Sequence, residues 1–171
     1  DQFSYYTQRQ MISFQDRVEL LEKGKRALIG YYQQYKDAWE KNVLNEVAID
    51  QVMFKDVRLT GKIDKVEILE NGKDINVVDY KSRQPLSRNV IEGKTKSSNG
   101  GYKRQLVFYK LLVDRFWENK YHMVSGELDF IEPTQAGIYR KEVFEIQDAE
   151  VQALEKDIEK VAKEIRTLSF W

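Results

Sequence analysis

The chain opens on a helical pattern of hydrophobic and polar residues. Apolar side chains recur three and four positions apart over residues 12–39, which predicts a long helix. Ser13 followed by Asp16 resembles a capping box at its start. The recurring apolar positions are Val18, Leu21, Leu28, Tyr32, Tyr35 and Trp39.

After residue 42 the pattern alternates with a period of two, which is typical of strands. Strands are predicted over residues 43–54, 57–69 and 75–82. Asn71-Gly72 lies between the last two of these strands and is a strong hairpin signal. Residues 82–101 contain Pro85, three glycines and several serines, and they predict a loop long enough to be functional or mobile.

The second half of the chain repeats both periods. Residues 102–117 are apolar on nearly every side and predict a buried helix. Two strands are expected over residues 123–132 and 137–146, before a closing amphipathic helix. Its apolar positions are Val151, Leu154, Ile158, Val161, Ile165 and Leu168. This order of elements predicts a sheet with helices on both faces.

Length and composition limit the classes of protein to consider. A chain of 171 residues fits one domain, and its start at Asp1 indicates a fragment of a longer protein. The absence of cysteine excludes disulfides, zinc fingers and cysteine-ligated clusters. With His122 as its one histidine, any metal site must use mainly oxygen ligands, which favours Mg²⁺, Mn²⁺ or Ca²⁺. The formal net charge is zero, so the chain as a whole is not a basic nucleic-acid binder.

The predicted hairpin brings two carboxylates together. If Asn71 and Gly72 are the central turn residues, opposed residues have numbers that sum to 143, so Asp64 faces Asp79. Two opposed carboxylates repel each other, and a divalent cation could bridge them. Lys81, two residues beyond Asp79, could add positive charge. Such a group suits phosphodiester hydrolysis, and the alternative is a solvated salt-bridge cluster that includes Lys62.

Three short motifs resemble those of a known nuclease family. They are GKIDKV at residues 61–66, VVDYKS at residues 77–82 and QLVFY at residues 105–109. Their order and spacing resemble the RecB-like branch of the PD-(D/E)xK nuclease superfamily, as found at the C-terminus of UvrD/Rep-type helicases and in RecB and AddAB. The resemblance implies an α/β, restriction-endonuclease-like three-layer sandwich with a central mixed sheet flanked by helices. It also implies a Mg²⁺- or Mn²⁺-dependent exonuclease.

The resemblance assigns roles to residues that match the motifs. Asp64 and Asp79 match the metal-binding acids, and the main-chain carbonyl of Tyr80 matches a further ligand. Lys81 matches the catalytic lysine, and Gln105 and Tyr109 match a helix motif whose members share one face. Glu46 aligns with an acid on the first core strand that often approaches the metal, although an exposed glutamate on an edge strand would look the same.

The chain departs from the family at one position. The family usually carries a histidine on a helix before the first long helix, and residues 1–35 do not supply one. His122 does not match this position and is expected to be structural or exposed. The chain therefore either lacks the family's N-terminal helix or has lost a ligand. In either case this chain lacks one of the family's ligands, and the alternative function is a catalytically incomplete DNA-binding or structural module of the same fold attached to a helicase.

Positive charge is concentrated around the predicted loop. A basic, flexible segment beside the proposed metal site is suited to contact DNA phosphates. The expected DNA-binding residues are Arg83, Arg88, Lys94, Lys96, Lys103 and Arg104. The resemblance implies single-stranded DNA or duplex ends as substrate, with little sequence preference. It also implies helicase domains as partners, no membrane, and a cytoplasmic, nucleoid-associated location.

Overall fold

The computed structural model describes residue 5 and residues 13–118 and 120–169. Residue 12, the expected start of the first helix, lies outside these ranges. None of the helices in the described ranges is long and apolar enough to cross a membrane. In chain order the elements are α1 Phe14–Tyr35, β1 Val43–Phe54, β2 Val57–Ile68, β3 Asp74–Lys81, α2 Arg88–Ile91, α3 Gly101–Phe116, β4 His122–Phe130, β5 Arg140–Phe144 and α4 Asp148–Thr167.

The five strands form one mixed sheet in the order β1-β2-β3-β4-β5. Neighbours β1 and β2, and β2 and β3, are antiparallel. The N–H of His122 donates to the Lys73 carbonyl at 2.8 Å, and that of Ile131 donates to the Lys81 carbonyl at 3.0 Å. β3 and β4 therefore run parallel. Two neighbouring parallel strands need a crossover connection, and the one between β3 and β4 contains α3. This mixed sheet with flanking helices confirms the α/β sandwich of restriction-endonuclease type.

The hairpin between β2 and β3 has the predicted register but a different turn. Val66 pairs with Val77 and Ile68 with Ile75, as a sum of 143 requires. The predicted two-residue turn is wrong, because Leu69 N–H donates to Asp74 O and four residues separate the two. Asn71 Oδ1 accepts the N–H of Asp74 at 2.8 Å and thereby closes the wider loop.

Contacts between residues divide the chain into two compact units. The first contains residues 1–39, 81–85 and 130–140, and the second contains residues 40–80, 86–129 and 141–171. The assignment of residues 1–171 to a single domain stays a prediction. The core of the second unit includes Ile63 and Leu112, both fully buried. A Cβ on Gly61 would overlap Leu112, so glycine lets α3 approach β2 closely.

In the first unit, α1 begins where the sequence predicts but buries a different face. Ser13 accepts the N–H of Asp16 at 3.1 Å and caps the helix. The buried residues of α1 are Ala27 and Tyr31, whereas Leu28 is 50% exposed. The apolar repeat that predicts this helix therefore does not mark its buried side. A residue distant in the sequence contacts the buried side, since the hydroxyl of Tyr139 donates to the carbonyl of Ala27 at 3.0 Å.

Two elements of the second unit also differ from the sequence prediction. The segment predicted as loop contains α2, whose Ile91 is fully buried. Helix α4 has the predicted apolar repeat, yet none of the residues of Asp148–Thr167, all within the described ranges, is buried. Ion pairs connect α4 to the rest of this unit, including Arg166 with Asp56 and Arg115 with Glu155.

Candidate active site

Two carboxylates of the sheet are each held by a hydrogen bond from a neighbouring element. Asp64 of β2 accepts the main-chain N–H of Tyr80 at 2.9 Å. Asp79 of β3 is 3% exposed and accepts the hydroxyl of Tyr109, on α3, at 2.8 Å. Regular pairing of β2 with β3 runs from Ile68 to Lys65. The side chain of Asp64 therefore binds β3 just beyond the last regular pair, Lys65–Val78.

Gln105 and Tyr109 form a relay on one face of α3. The amide nitrogen of Gln105 donates to the Tyr109 hydroxyl at 2.8 Å, and that hydroxyl donates in turn to Asp79. The four-residue spacing places both side chains on the same helix face. Burial raises the pKa of Tyr109 far above its ordinary value, and the negative charge of Asp79 adds to the rise. Tyr109 is thus a neutral donor that orients one carboxylate oxygen of Asp79.

The structure therefore brings together four of the residues that the motifs indicate: Asp64, Asp79, Gln105 and Tyr109. A model of the PD-(D/E)XK nuclease superfamily matches residues 6–170.

The chain belongs to the PD-(D/E)XK nuclease superfamily.

Comparisons with individual proteins give less information about the chain. No curated protein matches the chain. The crystal structure of the protein SSO0001 is similar at a TM-score of 0.44 and 15% identity, over 81% of this chain. The match spans 58% of that protein, so the chain corresponds to just over half of its length.

For this member of the superfamily, Glu46 takes part in an ion pair with Lys62. The β1–β2 ladder passes from Asn45–Lys65 to Val47–Ile63, which places Glu46 across from Asp64 at a break in pairing. Glu46 has a φ of 54°, in the left-handed region, and its side chain is exposed. The hydrogen bond from Lys62 to Glu46 raises the pKa of Lys62. The expected role of Glu46 in metal binding stays a prediction.

The oxygen donors at Asp64 and Asp79 fit a hard divalent cation. Within the described ranges, no group of three or more histidine, aspartate or glutamate side chains is arranged to hold a metal. Mg²⁺ is commonly held by one or two carboxylates, with waters and substrate phosphates completing its shell. Asp64, Asp79 and the expected carbonyl of Tyr80 match that pattern and exclude a soft, sulfur-seeking metal.

Lys81 is the last residue of β3, and its side chain is partly buried. It lies two positions after Asp79, so the alternation of the strand gives both residues the same face. Its expected catalytic role is a prediction. His122 is exposed, with its Nδ1 3.3 Å from Asp74 Oδ1.

The opposite face of β2 and β3 carries a buried polar network that sequence reasoning missed. Lys65, 5% exposed, lies 2.7 Å from Glu67 Oε1. Glu67 also accepts the amide of Asn76 at 2.8 Å, and Asn76 accepts the Ser125 hydroxyl at 2.8 Å. Burial acts to lower the pKa of Lys65, but Glu67 outweighs it and the pKa is raised. The sequence signal that could have indicated this network is the two-residue spacing of Lys65 and Glu67, which places both residues on one face of β2.

A second polar cluster centres on Lys141 of β5. Its Nζ lies 2.9 Å from both Glu127 Oε1 and Asp129 Oδ2 of β4. Burial acts to lower the pKa of Lys141, but its bonds to the two carboxylates raise it above the ordinary value. Burial raises the pKa of Glu127 despite that contact. We call the two clusters together the buried polar network; its residues are Lys65, Glu67, Asn76, Ser125, Glu127, Asp129 and Lys141.

Several of the expected DNA-binding residues have partners within the protein. Arg88 lies 3.3 Å from Glu142, donates to Val143 O at 3.1 Å and covers the ring of Phe144. Lys103, whose side chain is 15% exposed, lies 3.4 Å from Glu150.

Two further basic residues also bind acceptors of the chain. Arg104 donates to the carbonyl of Asn99 at 3.0 Å, and Lys94 lies 2.5 Å from Glu92. Arg83 and Lys96 are exposed. The structure therefore uses much of the local positive charge to bind its own acidic groups and carbonyls, and only part of the expected basic surface projects into solvent.

Proposed function

We propose that this chain is the nuclease module of a bacterial helicase-nuclease or related DNA-repair protein, of the RecB-like branch. Its reaction would be exonuclease-type hydrolysis of DNA, dependent on Mg²⁺ or Mn²⁺, in the cytoplasm. The observation that carries this proposal is the chain of hydrogen bonds from Gln105 through Tyr109 to Asp79. It fixes a buried carboxylate beside a second one, Asp64, on the neighbouring strand.

The chemistry assigns separate tasks to the residues. Hydrolysis adds the oxygen of water to phosphorus and breaks one P–O bond, and the leaving oxygen takes a proton. A divalent ion held by Asp64 and Asp79 would supply Lewis-acid stabilisation of charge on the phosphoryl group. Tyr109 holds Asp79 in one orientation, and Gln105 holds Tyr109. Lys81 would orient the attacking water and stabilise negative charge in the transition state.

The competing function is a catalytically incomplete module that binds DNA or supports a helicase. It is favoured by the ion pair of Glu46 with Lys62, which occupies the carboxylate that would otherwise be the third acid. The two functions differ in one measurable property, which is metal-dependent cleavage.

The test is cleavage of labelled single-stranded and double-stranded linear DNA in excess Mn²⁺. Asp79→Asn keeps the shape of the side chain but removes its charge, so we expect cleavage to fall by about a hundredfold or more. Asp157→Asn removes an exposed carboxylate on α4 and is the matched control. Cleavage that is equal in both variants would reject the assignment of Asp79.

A melting experiment separates the two functions when no cleavage occurs. A metal bound at Asp64 and Asp79 stabilises the folded state by mass action, so Mn²⁺ should raise the Tm of the unmodified chain. A rise that Asp79→Asn abolishes, without cleavage by either chain, would identify the binding module. No rise and no cleavage would reject a metal site.

A further inference from the structure

Five aromatic side chains gather at the C-terminal end of α1. The ring centroid of Tyr31 lies 4.9 Å from that of Tyr35, 6.0 Å from that of Tyr139 and 6.4 Å from that of Trp39. The rings of Tyr32 and Trp39 are 5.6 Å apart. Tyr35 and Tyr139 are 6.4 Å apart in a T-shaped arrangement. We call these five residues the aromatic cluster, and all of them belong to the first compact unit.

The cluster has a fixed inner part and an exposed outer part. Tyr31 is 6% exposed and contacts three other rings of the cluster, and Tyr139 is anchored by its hydroxyl to Ala27. Tyr32 is 55% exposed and Trp39 is 37% exposed. Contacts with neighbouring rings restrict both outer side chains, so less conformational entropy remains to be lost when a ligand binds them.

Gly30 shows how closely the inner part is packed. A Cβ at this position would overlap the hydroxyl of Tyr139. Because Gly30 has no side chain, Tyr139 can lie against the helix and contact the rings of Tyr31 and Tyr35. The cluster is therefore built into the packing of α1.

We propose that Tyr32 and Trp39 form a stacking surface for the unpaired bases of single-stranded DNA. Every base has an aromatic face that stacks on tyrosine or tryptophan without regard to sequence. The choice of DNA as the ligand rests on the proposed function. Local charge is balanced, because Lys36 is followed by Asp37. Contacts to bases, rather than attraction of phosphates, must then supply the binding energy at this surface.

The test compares two oligonucleotides that differ only in their bases. One is a fluorescent thymidine oligomer, and the other is an abasic oligomer of the same length and charge. Binding is measured by anisotropy in EDTA, so no cleavage occurs. The unmodified chain should bind the thymidine oligomer more tightly. Trp39→Ala should weaken that binding about tenfold and leave the abasic oligomer unaffected.

Two further variants control for folding and for simple loss of apolar surface. Ile29→Ala removes an exposed aliphatic side chain from the same helix and should retain the base preference. Trp39→Phe keeps a ring and should retain most of it. If Trp39→Ala has a lowered Tm, Tyr32→Ala takes its place, because the Tyr32 side chain is more exposed.

Equal binding of the two oligomers by the unmodified chain would overturn the proposal, as would a base preference that survives both Trp39→Ala and Tyr32→Ala. Failure to bind either oligomer would also overturn it and favour a protein partner for these rings. The result is independent of catalysis, because EDTA removes the divalent metal that cleavage would need. A base preference without metal-dependent cleavage would leave the stacking surface standing and reject only the nuclease proposal.

Discussion

The hydroxyl of Tyr109 takes part in two hydrogen bonds, one to a buried carboxylate and one from an amide. Tyr109→Phe keeps the ring but removes the donor to Asp79. A buried carboxylate that loses a hydrogen bond destabilises the folded state, so we expect the free energy of unfolding to fall by about 1–3 kcal/mol at neutral pH. Urea denaturation measures this change. Tyr121→Phe, which alters a phenol outside the site, should change stability by less than about 0.5 kcal/mol.

The same residue predicts an alkaline dependence of stability. Burial and the charge of Asp79 raise the pKa of Tyr109 in the folded state above the unfolded value of 10.0. A raised pKa contributes stability that is complete below pH 10 and is lost as the pH rises from there toward the folded pKa. Urea midpoints of the unmodified chain should therefore fall above about pH 10.

Tyr109→Phe lacks this titration, so its midpoints should fall less steeply over the same range, whereas Tyr121→Phe should follow the unmodified chain. Identical slopes for all three chains would show that Tyr109 does not titrate differently in the folded and unfolded states.

At the scale of elements, strand β2 has two buried faces of opposite character. One carries apolar Val66, and the other carries Lys65 and Glu67 of the buried polar network. Lys65→Met leaves Glu67 buried without its cation, which should lower the free energy of unfolding by about 3–5 kcal/mol. In Lys65→Met/Glu67→Gln, the amide can still accept the bond from Asn76 while no charge remains. The double variant should recover most of the loss in a urea titration.

Recovery in the double variant is what distinguishes an ion-pair effect from a packing effect. If the double variant were as unstable as Lys65→Met, the loss would come from replacing the lysine stem rather than from an unpaired Glu67.

Helix α1 also has two apolar faces, of which one is buried. Tyr31 is 6% exposed and Leu28 is 50% exposed, although they lie three positions apart. Tyr31→Ala removes the ring at the centre of the aromatic cluster and should destabilise the chain by about 3 kcal/mol. Leu28→Ala should change stability by less than about 0.5 kcal/mol. Thermal or urea unfolding compares them, and a larger loss for Leu28→Ala would mean that the exposed face is covered in solution.

These elements show what the sequence can and cannot predict. The register of the hairpin followed from placing Asn71 and Gly72 at the centre of the turn, and the wider loop between Leu69 and Asp74 keeps the same centre. The turn did not follow, since Asn71 uses its side chain to accept the N–H of Asp74, which a dipeptide signal does not reveal. Periodicity located α1 but not its buried face. That face depends on Tyr139, which lies more than a hundred residues away in the chain.

The site itself was predictable in part, for a physical reason. Asp64 and Asp79 were brought together by pairing arithmetic, and Gln105 and Tyr109 by helical spacing. The relay from Tyr109 to Asp79 links a helix to a strand, and such a contact depends on how the two elements pack. The buried polar network was missed because Lys65 and Glu67 look like solvated residues until the tertiary structure covers them.

At the scale of the whole molecule, positive and negative charges balance, and many charged side chains form ion pairs with one another. The chain has 28 basic and 28 acidic residues, so no net field attracts DNA from a distance. Lys103 binds Glu150 and is mostly buried, whereas Lys96 is exposed. The two lysines lie in the same basic segment but should differ in their contribution to DNA binding.

The salt dependence of binding separates them. Each phosphate contact with single-stranded DNA contributes about 0.7 to the slope of log K against log salt. Lys96→Ala should therefore reduce the magnitude of that slope by about 0.7, measured by anisotropy in EDTA at several NaCl concentrations. Lys103→Ala should leave the slope unchanged and lower stability instead, because it removes a contact of the folded protein. If Lys103→Ala flattened the slope while Lys96→Ala did not, Lys103 would have to exchange Glu150 for a phosphate on binding. DNA would then approach the chain at the N-terminal end of α3 and not along the exposed loop.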